Sequence, residues 1–248
     1  MTEVRAPNMN NQPFCIGCEL AVNGQFPWQA SLQTTSHFCG ASIISATFLN
    51  CAAHCVKSAL TAAVGDVDNT KGQRVQMKSG GYHAHPNYNG NLIINDFAVI
   101  EMASSFIWNE FVQPIKIIDA GERPADRAPL MSSGFGYYKY DATGIRPDRK
   151  TSQFLRFTDL EYVSVQRCKQ AWAGQTIDDS VQCADKDGAT ICSGDSGGPL
   201  VMEVNGVWNL IGATSWAHVN CASYDRPQGW NNLFYPEYNQ WVKDQAGL

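Results

Sequence analysis

Three short segments of this 248-residue chain carry residue types that together could attack a carbonyl. In Gly194-Asp195-Ser196-Gly197-Gly198-Pro199 a serine has glycines on both sides. Glycines let the backbone approach a substrate closely and leave amide hydrogens unobstructed. A serine hydroxyl is a weak nucleophile and needs a base within hydrogen-bond reach. Ala52-Ala53-His54-Cys55 supplies an imidazole between small residues, next to a cysteine that can anchor it. The base needs a carboxylate that fixes its tautomer and stabilises its cation. Asp96 heads the apolar run Phe97-Ala98-Val99-Ile100. Taken singly, these are a Gly-rich turn, a packed core histidine and a strand-capping acid. Taken together, their order is His54, Asp96, Ser196, with gaps of 42 and 100 residues. An esterase of the α/β-hydrolase type is excluded by that order, because there the serine precedes the acid and the acid precedes the histidine.

Such residues must be held by a scaffold of turn-rich β structure. The composition has 44% hydrophobic and 17% charged residues, with 21 Gly, 11 Pro and 7 Trp, which excludes a disordered chain. Its length suits one large all-β domain or two lobes. Trp28, Ala30 and Leu32 alternate at period two, and the run from Phe97 to Met102 does the same. Val201 to Ser215 reads as a strand, an Asn205-Gly206 turn and a returning strand. The stretch 119–150 reads mostly as loop and as the link between lobes. Helices are predicted at 235–246, where Tyr235, Tyr238, Trp241 and Val242 share a face behind Pro236, and at 164–173. No apolar run reaches the ~20 residues of a membrane span. A net charge of −5 with no basic cluster argues against nucleic acid as a partner. Nine cysteines suggest an oxidising compartment, although residues 1–14 are a polar leader without the apolar stretch of a signal peptide.

The chain resembles the chymotrypsin-like serine peptidases, the S1 family, over residues 15–243. The resemblance rests on Phe26-Pro27-Trp28-Gln29, His37-Phe38-Cys39-Gly40, Ala52-Ala53-His54-Cys55, Asn95-Asp96-Phe97-Ala98, Gly134-Phe135-Gly136, Gly194-Asp195-Ser196-Gly197-Gly198-Pro199 and Ser215-Trp216. It implies an all-β fold of two six-stranded antiparallel barrels, lobes at 15–118 and 130–234, with the active site between them. Ser196 would attack the scissile carbonyl, His54 would carry the proton and Asp96 would hold His54. The amides of Gly194 and Ser196 would form the oxyanion hole. Thr190, Ser215, Trp216, Ala217 and Gly229 would line the substrate pocket. Disulfides Cys39–Cys55, Cys168–Cys183 and Cys192–Cys221 carry over by resemblance. A further pair common in the family is replaced by Leu130 and Met202, which suggests an apolar contact. The resemblance also implies secretion, a zymogen, a monomer, and peptide substrates and protein inhibitors as partners. It implies no cofactor. No calcium is expected either, because Asp66 and Asp68 face Gly72-Gln73-Arg74, which offers no partner acid.

Two departures from the family pattern stand out. The family's mature chain begins Ile-Val-Gly-Gly behind a basic residue, and its new ammonium pairs with the aspartate before the nucleophile, here Asp195. At those positions this chain has Cys15-Ile16-Gly17-Cys18, preceded by Phe14. Cys15, Cys18 and Cys51 are left without assigned partners. The pocket base, Thr190, carries no charge, so Lys and Arg should be poor substrates. Pro227-Gln228-Gly229-Trp230 leaves the opposite wall open to two readings. With a one-residue insertion Gly229 lines a pocket for large apolar or aromatic residues; without it Trp230 fills the pocket. A second hypothesis, a binding or regulatory module on the same fold without catalysis, would be separated by labelling with a serine-directed organophosphonate.

Overall fold

The computed structural model describes residues 18–121, 123–138, 149–217, 221 and 226–248. A short strand, β1 (Glu19–Leu20), precedes a first barrel of six strands: β2 (Gln29–Gln33), β3 (His37–Ile43), β4 (Phe48–Cys51), β5 (Thr61–Val64), β6 (Gln73–Ala84) and β7 (Ala98–Met102). They close in the order β2-β3-β4-β7-β6-β5, every neighbour antiparallel. Leu32, Ile43, Leu49 and Ile100 point inward and are fully buried. The chain then runs through β8 (Lys116–Ile117), β9 (Pro129–Gly134), β10 (Arg156–Val163), α1 (Val165–Ala171), β11 (Val181–Asp185), β12 (Pro199–Val204), β13 (Val207–Trp216), β14 (Gln228–Asn231) and α2 (Pro236–Ala246). Here the path β10-β11-β14-β13-β12-β9 closes through the pairing of β9 with β10. This is the second six-stranded barrel, with β1 on its β10 and β8 parallel to its β13. Leu160, Leu200, Leu210, Ile211 and Trp230 fill it. No helix among the described residues is long and apolar enough to cross a membrane.

Local chemistry accounts for several elements. Asn205 and Gly206 both have positive φ (52° and 78°), the conformation that a two-residue hairpin joining right-twisted strands requires. The Ser164 side chain caps α1 by accepting from Arg167 N. Pro236 opens α2, and Gly247 closes it in the left-handed conformation. The stretch 119–150 is mostly loop where it is described, but one strand the sequence did not signal, β9, lies inside it and pairs with both β10 and β12. Its Ser132-Ser133-Gly134 has little intrinsic strand signal, and the pairing partners supply the order. Residues 1–17, including the polar leader and the Phe14-Cys15 junction, lie outside the described residues.

The alternation seen around Ala30 and Leu32 does not mark a solvent face. All five residues of β2 are buried. Ala30 and Leu32 enter the first core, while on the other face Gln29 reaches the second lobe and Ser31 and Gln33 bond first-lobe groups. Gln29 Oε1 accepts from Ser133 Oγ at 2.7 Å. Two further bonds cross near the site: Gly40 N donates to the Ser196 carbonyl at 2.7 Å, and Asn231 Nδ2 donates to the Asp96 carbonyl at 2.9 Å. The lobes are therefore registered to each other by groups adjacent to the candidate catalytic residues.

Candidate active site

His54 lies in a single 3₁₀ turn, Ala53–Cys55, directly after β4. The disulfide between Cys39 and Cys55 ties this turn to β3. Asp96 stands just before β7, the strand that pairs with β4, so the two chain segments lie side by side. Its neighbour Asn95 adopts positive φ (55°), which asparagine tolerates better than most residues. Second-lobe groups hold Asn95 there: its N–H donates to Ser180 Oγ at 2.9 Å, and its Oδ1 accepts from Tyr238 OH at 2.7 Å. Asp96 is only 2% exposed and accepts three hydrogen bonds. The His54 N–H reaches Oδ1 at 2.9 Å, while His54 Nδ1 and Ser215 Oγ reach Oδ2 at 2.7 and 2.5 Å. A carboxylate can only accept, so Nδ1 carries the proton and Nε2 keeps its lone pair in the neutral ring. Ser196 Oγ is not in hydrogen-bond geometry with Nε2. Catalytic hydrogen bonds are often long before substrate binds and tighten in the complex.

The loop that carries Ser196 is fixed by its other peptides. Asp195 N donates to the Cys192 carbonyl, Gly197 N to Thr214 and Gly198 N to Asp195. The N–H groups of Gly194 and Ser196 donate to no acceptor among the described residues. These two amides are thus open to an incoming oxygen. Gly194 has φ +98°, which a side chain would strain. His37, quoted above only as part of a motif, holds this turn. Its Nε2 lies 2.8 Å from the Gly194 carbonyl and its Nδ1 lies 2.8 Å from Ser31 Oγ. The carbonyl can only accept, so Nε2 carries the proton and Ser31 donates to Nδ1. Burial lowers His37 to about 4, outweighing the bond to Gly194, so the ring is neutral at pH 7.

Beneath this turn the Asp195 carboxylate is buried. Gly136 N and Cys192 N donate to its two oxygens at 2.8 and 2.9 Å. Burial outweighs those donors and pushes the carboxyl up to about 6. No cationic group stands within ion-pair distance of it among the described residues. Gly134 and Gly136 make its space: a Cβ on Gly136 would lie 2.5 Å from Asp195 Cγ.

Thr190 and Ile191 are buried on the approach to the nucleophile loop, and Ser215 is buried as well. Trp216 and Ala217 border an open, largely apolar cavity of about 260 Å³ with Leu92, Trp172 and Ile177. The other wall differs from both expectations. A Cβ on Gly229 would lie 2.5 Å from the Trp216 indole nitrogen, so Gly229 is covered by that ring rather than turned to an open slot. Trp230 is fully buried in the core of the second barrel. The residue that the sequence reading passed over is Gln228. Its Oε1 accepts from Ile191 N at 2.9 Å and its Nε2 donates to the Ile191 carbonyl at 3.3 Å.

Comparison with known proteins gives a match to the family described as Trypsin over residues 15–242. The chain belongs to the trypsin family. It is 34% identical over 219 residues to trypsin alpha of Drosophila melanogaster, covering 86% of this chain and 80% of that protein. Trypsin alpha of Drosophila erecta matches to the same extent. The family, of chymotrypsin-like S1 peptidases, acts on protein or peptide substrates, and its members are typically secreted.

This trypsin-family chain contains the three disulfides that the resemblance implied, Cys39–Cys55, Cys168–Cys183 and Cys192–Cys221. Cys18 is also disulfide-bonded. Cys51 is a free, fully buried thiol that donates to the Gly40 carbonyl at 3.3 Å, and burial pushes it up to about 12. It is therefore an unreactive thiol under the nucleophile loop. Leu130 is buried in the second core, and Met202 packs against the same cluster. Cys39, Cys55 and His54 bring potential metal donors together, but both sulfurs are in the disulfide. Asp68 accepts from Thr70 Oγ1, Thr70 N and Gln153 Nε2, and those bonds, Thr70 foremost, hold it down at about 2.

Proposed function

We propose that this member of a serine protease family is an active endopeptidase with Ser196 as its nucleophile. Its Oγ attacks the scissile carbonyl while His54 Nε2 takes the hydroxyl proton. The proton then passes to the leaving amine, and water repeats the sequence to release the acyl group. Asp96 holds His54 in the required tautomer and stabilises its cation. The Gly194 and Ser196 amides receive the oxyanion. The observation that best supports this reading is the arrangement about Asp96, whose three donors leave Nε2 as the ring's available base. Each open amide would contribute about 2.7–4 kcal/mol to the transition state.

Thr190 at the pocket base offers no negative charge, so a buried Lys or Arg would lack a counter-ion. Trp216, Ala217 and Ser215 are read as the wall along which substrate lies. The expectation of large apolar substrates depended on Gly229 facing an open slot, and the Trp216 ring removes that support. We read the protein as a secreted monomer that protein inhibitors could occupy at the same cleft, with Asp195 as the acceptor of an activating ammonium group. The burial of Asp195 against two backbone donors, Gly136 N and Cys192 N, favours one second reading, a zymogen-like or purely binding form. Peptide hydrolysis tests the proposal. It should be abolished in Ser196→Ala with the melting temperature preserved, and unchanged turnover in that variant would refute it.

A further inference from the structure

Gln228 occupies a position with a consequence for substrate choice. It begins β14, where Gly229 pairs with Trp216 on β13 and Gln228 pairs with Ala184 on β11. Alternation along the strand turns its side chain to the same side as Trp230. Across the gap runs Thr190-Ile191-Cys192, which leads into the nucleophile loop. One primary amide captures both backbone groups of one residue there, accepting from Ile191 N and donating to the Ile191 carbonyl. Thr190, Ile191 and Gln228 are 2%, 3% and 3% exposed, so the facing walls touch each other rather than water. No other described group bonds Ile191 N or its carbonyl. Swinging the glutamine aside would leave three buried polar groups unpaired, which makes it a poor gate. Gln228 also borders a cavity of about 300 Å³ together with Asp185, Lys186, Asp187 and Arg226.

We infer that Gln228 is a specificity-determining residue: its amide, pinned across the slot to Ile191, shortens the pocket so that the enzyme accepts a small uncharged residue, Gly, Ala or Ser, on the amino side of the cleaved bond. This rests on the peptidase reading above. The isobutyl group of Leu and the benzyl group of Phe need depth that the amide, bonded to the Ile191 backbone, already fills. One excess methylene in a filled pocket costs about 10–200-fold in kcat/KM. Truncating Gln228 should open the slot toward the cavity that it borders and admit larger side chains.

The test is a series of N-acyl peptide substrates varied only at the residue before the cleaved bond. Wild type should favour Ala over Phe and Leu by at least about 10-fold in kcat/KM, and Gln228→Gly should raise Phe and Leu by a similar factor. If Gln228→Gly does not fold, Gln228→Ala removes the same amide and reads the same ratio. In parallel, binding of product-like peptides ending in Ala or Phe is measured calorimetrically on Ser196→Ala, with and without Gln228→Gly. That readout needs no turnover. Preference for Ala in binding without hydrolysis by the parent would overturn the peptidase reading and keep the pocket inference. A wild-type preference for Phe or Leu, or an Ala-to-Phe ratio unmoved by truncation in either measurement, would overturn the inference.

Discussion

Replacing Gly136 by alanine tests how the floor of the site supports the chemistry above it. An added Cβ would lie 2.5 Å from Asp195 Cγ and 2.7 Å from Oδ1, whereas ordinary van der Waals contact begins near 3.4 Å. Gly136 does not have positive φ, so alanine costs nothing in backbone strain and the effect is purely one of crowding. Relief requires a shift of about 1 Å between Asp195 and the 134–136 segment. The carboxylate cannot recede freely, because Gly136 N and Cys192 N hold its two oxygens. Overpacking of this kind costs about 1–3 kcal/mol. For a chain of this size that is a fall in Tm of roughly 2–12 °C. Asp195 lies between the two open amides, so its displacement moves both. A displacement near 1 Å should lower kcat/KM by about 10²-fold. Gly121→Ala is the control, since a Cβ there meets nothing within 4 Å. Scanning calorimetry and steady-state hydrolysis of one peptide amide read both effects. If Gly136→Ala matched the control in Tm and kcat/KM, the argument that this floor positions the amides would be wrong.

Two further outcomes follow from the buried carboxylates. Asp195 is raised to about 6 from 3.8, so its stabilising contribution is complete below about pH 3.8 and is lost as pH rises through 6. The Tm of the chain without a cation at Asp195, relative to Asp195→Asn, should therefore increase on acidification from pH 7 to pH 4, by an amount equivalent to at most about 3 kcal/mol; a pH-independent difference would contradict the assignment. Ser215→Ala removes one of three donors to buried Asp96 and should cost about 1.5–3 kcal/mol by denaturant titration. A variant as stable as the parent would count against this.

The parts of the fold that could be read from sequence are those whose cause is local. Asn205-Gly206 dictates its own hairpin, and Pro236 with Gly247 brackets its own helix. His54, Asp96 and Ser196 were recognisable because each sits in a short, unusual context, although only the pairing of β4 with β7 brings His54 and Asp96 together. What escaped the sequence depends on partners far along the chain. Strand β9 has a weak pattern and is made by β10 and β12. His37 gains its role from a carbonyl 157 residues away. Gln228 was overlooked because placing a glycine at the pocket wall favoured Gly229, and a one-residue slip in a strand reverses which side chains face the site.

The most direct measurement of the central claim is covalent labelling of the intact chain with a fluorophosphonate probe, followed by intact mass and peptide mapping. Only a serine activated by an assembled base and oxyanion site reacts readily. The expected result is a single adduct on Ser196, lost in Ser196→Ala and strongly slowed in His54→Ala. A chain that hydrolyses peptides yet carries its adduct elsewhere, or whose Ser196 stays unlabelled, would contradict the account.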